Sequence, residues 1–158
     1  MMCIKFTKIF TLTVLALNLM SNTVFADECT ELINKEEYYE AVEYCQKGAD
    51  RGDKVSQFFL GTLYYNAQGV MGDKVKAINW IKKSAQQHFP LAQYNLGVIY
   101  ANGDGVEADL VNGYSWLRVA EQNGYQQAKA VADEIEKELT KEERKLSKEL
   151  ISQLSAKK

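Results

Sequence analysis

Few side chains in this chain have types and spacings that could do chemistry. His88 is the only histidine. No Cys, Asp or Glu stands near it at ligand spacing, so neither a metal site nor a Ser-His-Asp relay assembles around it, and it reads as a solvent-exposed residue of a turn. Ser155 to Lys158 is the one Ser-x-x-Lys after residue 26. Serine acyl-transfer enzymes use that spacing, but here it falls on a frayed terminal segment and reads as coincidence. Gly103-Asp104-Gly105 follows a helical pattern and not a strand, which makes it a loop between helices and not a phosphate cradle. Catalytic residues, metal ligands and cofactors are therefore expected to be none. Cys29 and Cys45 remain, and their chemistry depends on the compartment.

The elements that position these groups follow from internal repetition. At a shift of 36, Lys54–His88 matches Pro90–Gly124 at eleven of 35 positions, among them Gln57/Gln93, Leu60/Leu96, Gly61/Gly97, Tyr64/Tyr100, Asp73/Asp109 and Trp80/Trp116. A period of that length predicts one supersecondary unit stacked on copies of itself. Ser56, Leu60, Leu63 and Tyr64 fall at helical spacing, as do Ala92, Leu96, Ile99 and Tyr100. A second stripe runs through Ala77, Trp80, Ile81 and Ser84, echoed by Gly113, Trp116, Leu117 and Ala120. Gly61 and Gly97 lie inside the first stripes, where glycine costs about 1 kcal/mol against alanine, so they predict a close helix–helix approach. Gly69 and Gly105 are expected to end the first helices in a left-handed conformation, with Asp73 and Asp109 capping the second.

Each copy thus reads L-G-x-[LI]-Y, a Gly-Val turn, an Asp and an aromatic anchor: LGTLYYNAQGVMGDKVKAINWIKKSAQ and LGVIYANGDGVEADLVNGYSWLRVAEQNG. This resembles the Sel-one-like repeat family, relatives of the tetratricopeptide repeat with a longer loop between the two helices. The resemblance covers Ala41 to about Ala132. It implies an all-α fold, a short right-handed α-solenoid of helix-loop-helix repeats with capping helices, and a surface that binds another protein.

Partial copies flank the full ones. Ala41, Tyr44, Lys47 and Ala49 align with Ala77, Trp80, Lys83 and Ala85, predicting a lone second helix from about Lys35 to Ala49 as an N-terminal cap. Downstream, Ala128, Val131, Ala132, Ile135 and Leu139 make an apolar stripe, but Asp133 and Glu136 stand where the family has glycine and tyrosine, so the array is expected to end there. Thr140 and Glu143 form a capping box ahead of an amphipathic helix bearing Leu146, Leu150 and Leu154, expected to fold back over the exposed end. The organisation is then residues 1–26 a signal peptide, 27–53 the cap, 54–88 repeat one, 89–124 repeat two and 125–158 the C-terminal partial repeat and capping helix.

The leader reading rests on Lys5 and Lys8, the apolar run Ile9–Leu17 and the small-residue site Val24-Phe25-Ala26. The apolar run is too short to span a membrane comfortably, and Ala26-Asp27-Glu28 before Cys29 is not a lipid-attachment sequence. A periplasmic or secreted protein cleaved near Ala26, with no stable membrane anchor, is expected. Losing Lys5 and Lys8 takes the 19 basic residues to 17 against 21 acidic ones. No basic patch interleaved with aromatics appears, which argues against nucleic acid. In an oxidising compartment the even pair Cys29 and Cys45 predicts a disulfide that folds the segment before the first helix back onto it. The cysteine-rich relatives place their bridges within each helix pair, so the resemblance does not imply this one.

The first helices are apolar nearly all round. Phe58 and Tyr94 are expected between repeats, while Phe59, Thr62, Tyr65, Asn66, Asn95, Val98 and Asn102 are expected to line a concave protein-binding face. Trp80 and Trp116 read as core anchors. The expected function is a non-enzymatic, monomeric scaffold, as an envelope adaptor or an immunity protein. A cell-wall enzyme or β-lactam-binding protein of the cysteine-rich type is the alternative.

Overall fold

The computed structural model describes residues 24–156, and these form eight helices and no strand. They are α1 (24–34), α2 (Tyr38–Asp50), α3 (Lys54–Asn66), α4 (Lys74–Gln86), α5 (Pro90–Asn102), α6 (Leu110–Gln122), α7 (Ala128–Glu138) and α8 (Lys141–Ala156). Lys5, Lys8 and the apolar run Ile9–Leu17, on which the expected leader rests, lie outside the described residues. Each helix from α2 to α7 packs on its neighbours in sequence, α3 with α4 and α5 with α6 most extensively, so the chain is an all-α array of stacked helix pairs.

The stacking is written in repeated contacts. A Cβ on Gly61 would lie 2.6 Å from Ile81 Cγ1 and 2.9 Å from the Ala77 carbonyl; one on Gly97 would lie 2.7 Å from Leu117 Cγ and 2.9 Å from the Gly113 carbonyl. Both hairpins therefore close at a distance only glycine permits, as the sequence predicts. Gln57 and Gln93, equivalent residues, are buried, and each Nε2 donates to the helix before it, Gln57 to the Ala49 carbonyl (3.3 Å) and Gln93 to the Ala85 carbonyl (3.1 Å). Each Oε1 in turn accepts from the next turn, from Gln87 (2.8 Å) and Asn123 (2.9 Å). One buried amide thus pins each repeat to the helix before it and to the turn that closes the repeat itself. Asp73 and Asp109 accept from the backbone N–H of Lys76 and Asn112, and Asp53 caps α3 in the same way through Ser56.

Several expectations need correction. The first helices end before Gly69 and Gly105: the left-handed caps are Ala67 (φ 55°) and Gly103 (φ 69°). Gly69 and Gly105 do take the expected left-handed conformation (φ 67° and 81°), but in the loop beyond the cap, and a Cβ on Gly69 would also lie 2.3 Å from the Tyr38 carbonyl oxygen. The N-terminal helix is not alone, because α1 precedes it and makes a hairpin with α2 through a tight Lys35–Glu37 turn. Cys29 on α1 is bonded to Cys45 on α2, both fully buried, so the expected bridge forms, but the segment before α2 is itself a helix and the bridge lies within a helix pair.

At the C-terminus, the capping box forms: Thr140 N–H donates to Glu143 Oε2 (2.8 Å) and Glu143 N–H to Thr140 Oγ1 (3.2 Å). α8 then packs on α6 and not over α7. It runs parallel to α6, with the Ser115 hydroxyl donating to the Ser147 carbonyl (3.4 Å) and the Ser155 hydroxyl to Gln122 Oε1 (2.9 Å). Its inward face is Ser147, Ile151 and Leu154, whereas Leu146 is 56% exposed. The reason is visible on α6, whose outer face carries Val111, Ser115 and Val119; the same positions on α4 are Val75, Asn79 and Lys83, all exposed.

That choice separates two tryptophans the repeat makes equivalent. Trp116 is 5% exposed, in a cluster that Leu154 of α8 packs against. Trp80 is only half-buried and wears the Lys83 ammonium 3.8 Å above its ring, as Lys47 sits 5.2 Å over Tyr44 one repeat earlier. Only one of the two is a fully buried anchor.

The departures from the repeat at Asp133 and Glu136 also find their cause. Arg118 on α6 reaches Asp133 (2.7 Å), Glu136 (2.6 Å) and Glu121 (3.0 Å). Burial alone would lower the Arg118 pKa, but the hydrogen bonds it makes to Tyr114 and to the three carboxylates hold it above its ordinary value. Asp133 is held below the usual range by hydrogen bonds from Lys129 and then Arg118, and Glu136 by Arg118. A carboxylate with a depressed folded pKa stabilises fully above its unfolded pKa, and that contribution is lost as pH falls through the folded value. Docking of α7 is therefore expected to weaken below about pH 4. Urea midpoints of wild type and Arg118→Gln across that range check this: the variant should lose part of the acid dependence, and an unchanged profile would count against the clamp.

Candidate functional site

Thr62, Tyr65 and Asn66 from α3 and Asn95 and Val98 from α5 line one cavity of about 160 Å³ together with Ile81 of α4 and Ile99 of α5. It exists because consecutive first helices stand side by side and the second helix of repeat one supplies its floor. Two expected residues lie elsewhere. Phe59 is half-buried, its ring 5.4 Å from that of Phe58, and it packs against the two N-terminal core clusters. Asn102 is exposed at the last turn of α5 and does not reach the cavity. Periodicity missed Ile81 and Ile99 as lining residues because both belong to inward stripes, 2% and 5% exposed, and only the packed hairpin turns an edge of each toward the groove. Phe58 is buried as expected, whereas Tyr94 is half-buried with its ring 4.9 Å from that of Tyr125.

The polar groups of the groove are held in place by the protein. The Thr62 hydroxyl donates to the Phe59 carbonyl (2.8 Å), Asn95 Nδ2 to the Leu91 carbonyl (2.8 Å) and Asn66 Nδ2 to Gln68 Oε1 (3.2 Å). The Tyr65 hydroxyl donates to Asp104, which also accepts from Lys74 Nζ, so three segments meet at the rim. Burial and the neighbouring Asp104 push the Tyr65 phenol up to about 12, and the hydrogen bonds from Lys74 and then Tyr65 hold Asp104 below the ordinary carboxylate range. Tyr65 is thus a protonated donor at neutral pH. No charged residue occurs in α5, and Lys54 is the only one in α3. The floor is aliphatic and the walls present neutral oxygens and amides, a surface suited to binding and not to proton transfer or nucleophilic attack.

The other chemical candidates do not converge on the groove. His88 is half-buried and not solvent-exposed, because the short turn at φ 58° closes back on the last turn of α4. Among the described residues no group of three or more His, Cys, Asp or Glu side chains could hold a metal ion. Ser155 is bonded to Gln122, and Lys158 lies outside the described residues. Among the described residues no helix is long and apolar enough to cross a membrane.

Comparison with known proteins gives a consistent result. A family model described as Sel1 repeat matches residues 35–53, 54–89 and 90–125. The chain is similar, at 32% identity and a TM-score of 0.82 over 86% of its length, to a protective antigen present in uropathogenic Escherichia coli strains that displays an SLR fold. It is also similar to a Sel1 repeat protein from Oxalobacter formigenes, at 28% identity and a TM-score of 0.58 over 60% of its length. The chain spans 30% and 39% of those two structures' own chains. No curated protein matches it.

Proposed function

The chain belongs to the Sel1 repeat family, whose members are generally protein-interaction scaffolds, and from that premise we propose that it is a non-enzymatic scaffold working outside the cytoplasm, after loss of a leader near Ala26, which holds another protein in the groove between α3 and α5. The observation that carries this reading is the convergence of side chains from two repeats on one uncharged cavity of about 160 Å³. That volume suits one medium apolar side chain, and the surrounding Thr62, Asn66 and Asn95 suit the backbone of the segment that carries it. The partner's contact segment is accordingly extended and uncharged at its centre. Adaptor and immunity roles both use such a contact, and the difference between them lies in the partner.

The experiment uses Thr62→Lys with Asn66→Lys. Both positions are partly or fully exposed, so melting should stay within a few degrees, while two ammonium groups close the groove. Capture of a defined protein from periplasmic extract by wild type, and its loss with the variant, is the expected outcome. Equal capture by both would move the binding surface elsewhere on the array.

A further inference from the structure

We propose that the Ala26–Asp27 bond is a processing site that closes when α1 folds, so that leader removal has to precede formation of the Cys29–Cys45 bond. The inference rests on reading residues 1–26 as a leader and adds an order of events to it. The bond lies inside α1, not in an exposed loop. On its N-terminal side, Ala26 is 9% exposed and its carbonyl accepts from the Thr30 hydroxyl at 2.7 Å. Phe25 is half-buried under the Arg51 guanidinium, 4.3 Å from the ring centre. Beyond the bond, Cys29 is fully buried and covalently tied to α2. Extending the chain here breaks the Phe25–Arg51 contact and the Thr30–Ala26 hydrogen bond and exposes Ala26, while Cys29 stays tied to α2.

Proteolytic nicking concentrates at exposed, flexible backbone, and when opening is fast it proceeds in proportion to the opened population. Cleavage here is hydrolysis: water adds its hydroxyl to the Ala26 carbonyl carbon and the Asp27 nitrogen leaves as a protonated amine. Folding with the disulfide closed lowers the population of the extended form that reaction needs. A chain processed first keeps α1 only from residue 27 and loses the Phe25–Arg51 contact; a chain folded and oxidised first loses its leader only slowly.

The test is a time course of signal peptidase on the full precursor in detergent, read by mass. Three substrates are compared: oxidised folded precursor, the same precursor reduced and unfolded in urea before dilution, and the Cys29→Ser, Cys45→Ser double variant. The oxidised form is expected to be cut after Ala26 on the order of tenfold more slowly than the other two. Equal rates for all three would overturn the ordering while leaving the leader reading intact. No cutting of any form, nor of a peptide carrying residues 1–35, would overturn the leader reading and the ordering with it.

Discussion

Truncating Trp116 to alanine is expected to lower stability by about 3–5 kcal/mol, the range for removing a buried indole from a core. The ring is 5% exposed and lies in one cluster with Phe58, Ile81, Leu96 and Ile99, against which Leu154 of α8 packs. Its loss opens a cavity in the cluster that repeat one, repeat two and α8 share. Against the roughly 5–15 kcal/mol that holds a domain folded, such a loss brings the protein close to unfolding. The equivalent truncation at Trp80 should cost clearly less, since that ring is already half in solvent beneath Lys83. Urea denaturation of the two variants side by side checks both statements. A Trp116→Ala midpoint no lower than that of Trp80→Ala would mean that α8 does not cover the second tryptophan in solution.

Opening the Cys29–Cys45 bond should have the second large effect. The two cysteines are 16 residues apart, and closing a loop of that size stabilises by about 3 kcal/mol in the chain-entropy model. The cost is expected to fall on one place. α1 meets the rest of the array through a short stripe, and the bond joins that stripe to the middle of α2. Reduction, or Cys45→Ser, should therefore release α1 before the repeats melt, with a small early loss of helical ellipticity and a main transition at lower temperature. Mass analysis of unreduced peptides should recover residues around Cys29 and Cys45 as one cross-linked species. Full labelling of both thiols without reductant, or a single unchanged transition after reduction, would contradict this account.

The difference between the two tryptophans shows where sequence reading reaches its limit. Both occupy the same register of the same repeat, and the repeat pattern they share does not distinguish their burial. What distinguishes them is α8, which leaves α7 at Leu139 and returns along α6. Lys83 and its counterpart Val119 hold the clue, a charge where the face stays wet and an aliphatic where a helix covers it, but its meaning requires knowing that a helix returns there. α1 was legible in principle. Ala26, Cys29, Leu32 and Ile33 form a helical stripe, and it goes unread when Val24-Phe25-Ala26 is assigned to a cleavage site and the following residues to a strap. The groove lies between these cases: five of the seven residues expected on one surface share the cavity, whereas Phe59 is half-buried beside Phe58 against two core clusters.

Contacts at short separation are dictated locally, which is why the 36-residue repeat suffices for the hairpins, the glycine-limited approaches at Gly61 and Gly97, the aspartate caps and the capping box at Thr140. Each depends on residues within one hairpin or one helical turn, where spacing alone decides which side chains meet. The Arg118 clamp on Asp133 and Glu136, the burial of Trp116 and the shape of the groove belong to the tertiary structure. They arise where helices from different repeats meet, and there the outcome follows from which of several apolar faces is left uncovered when the array ends, a quantity no single repeat contains.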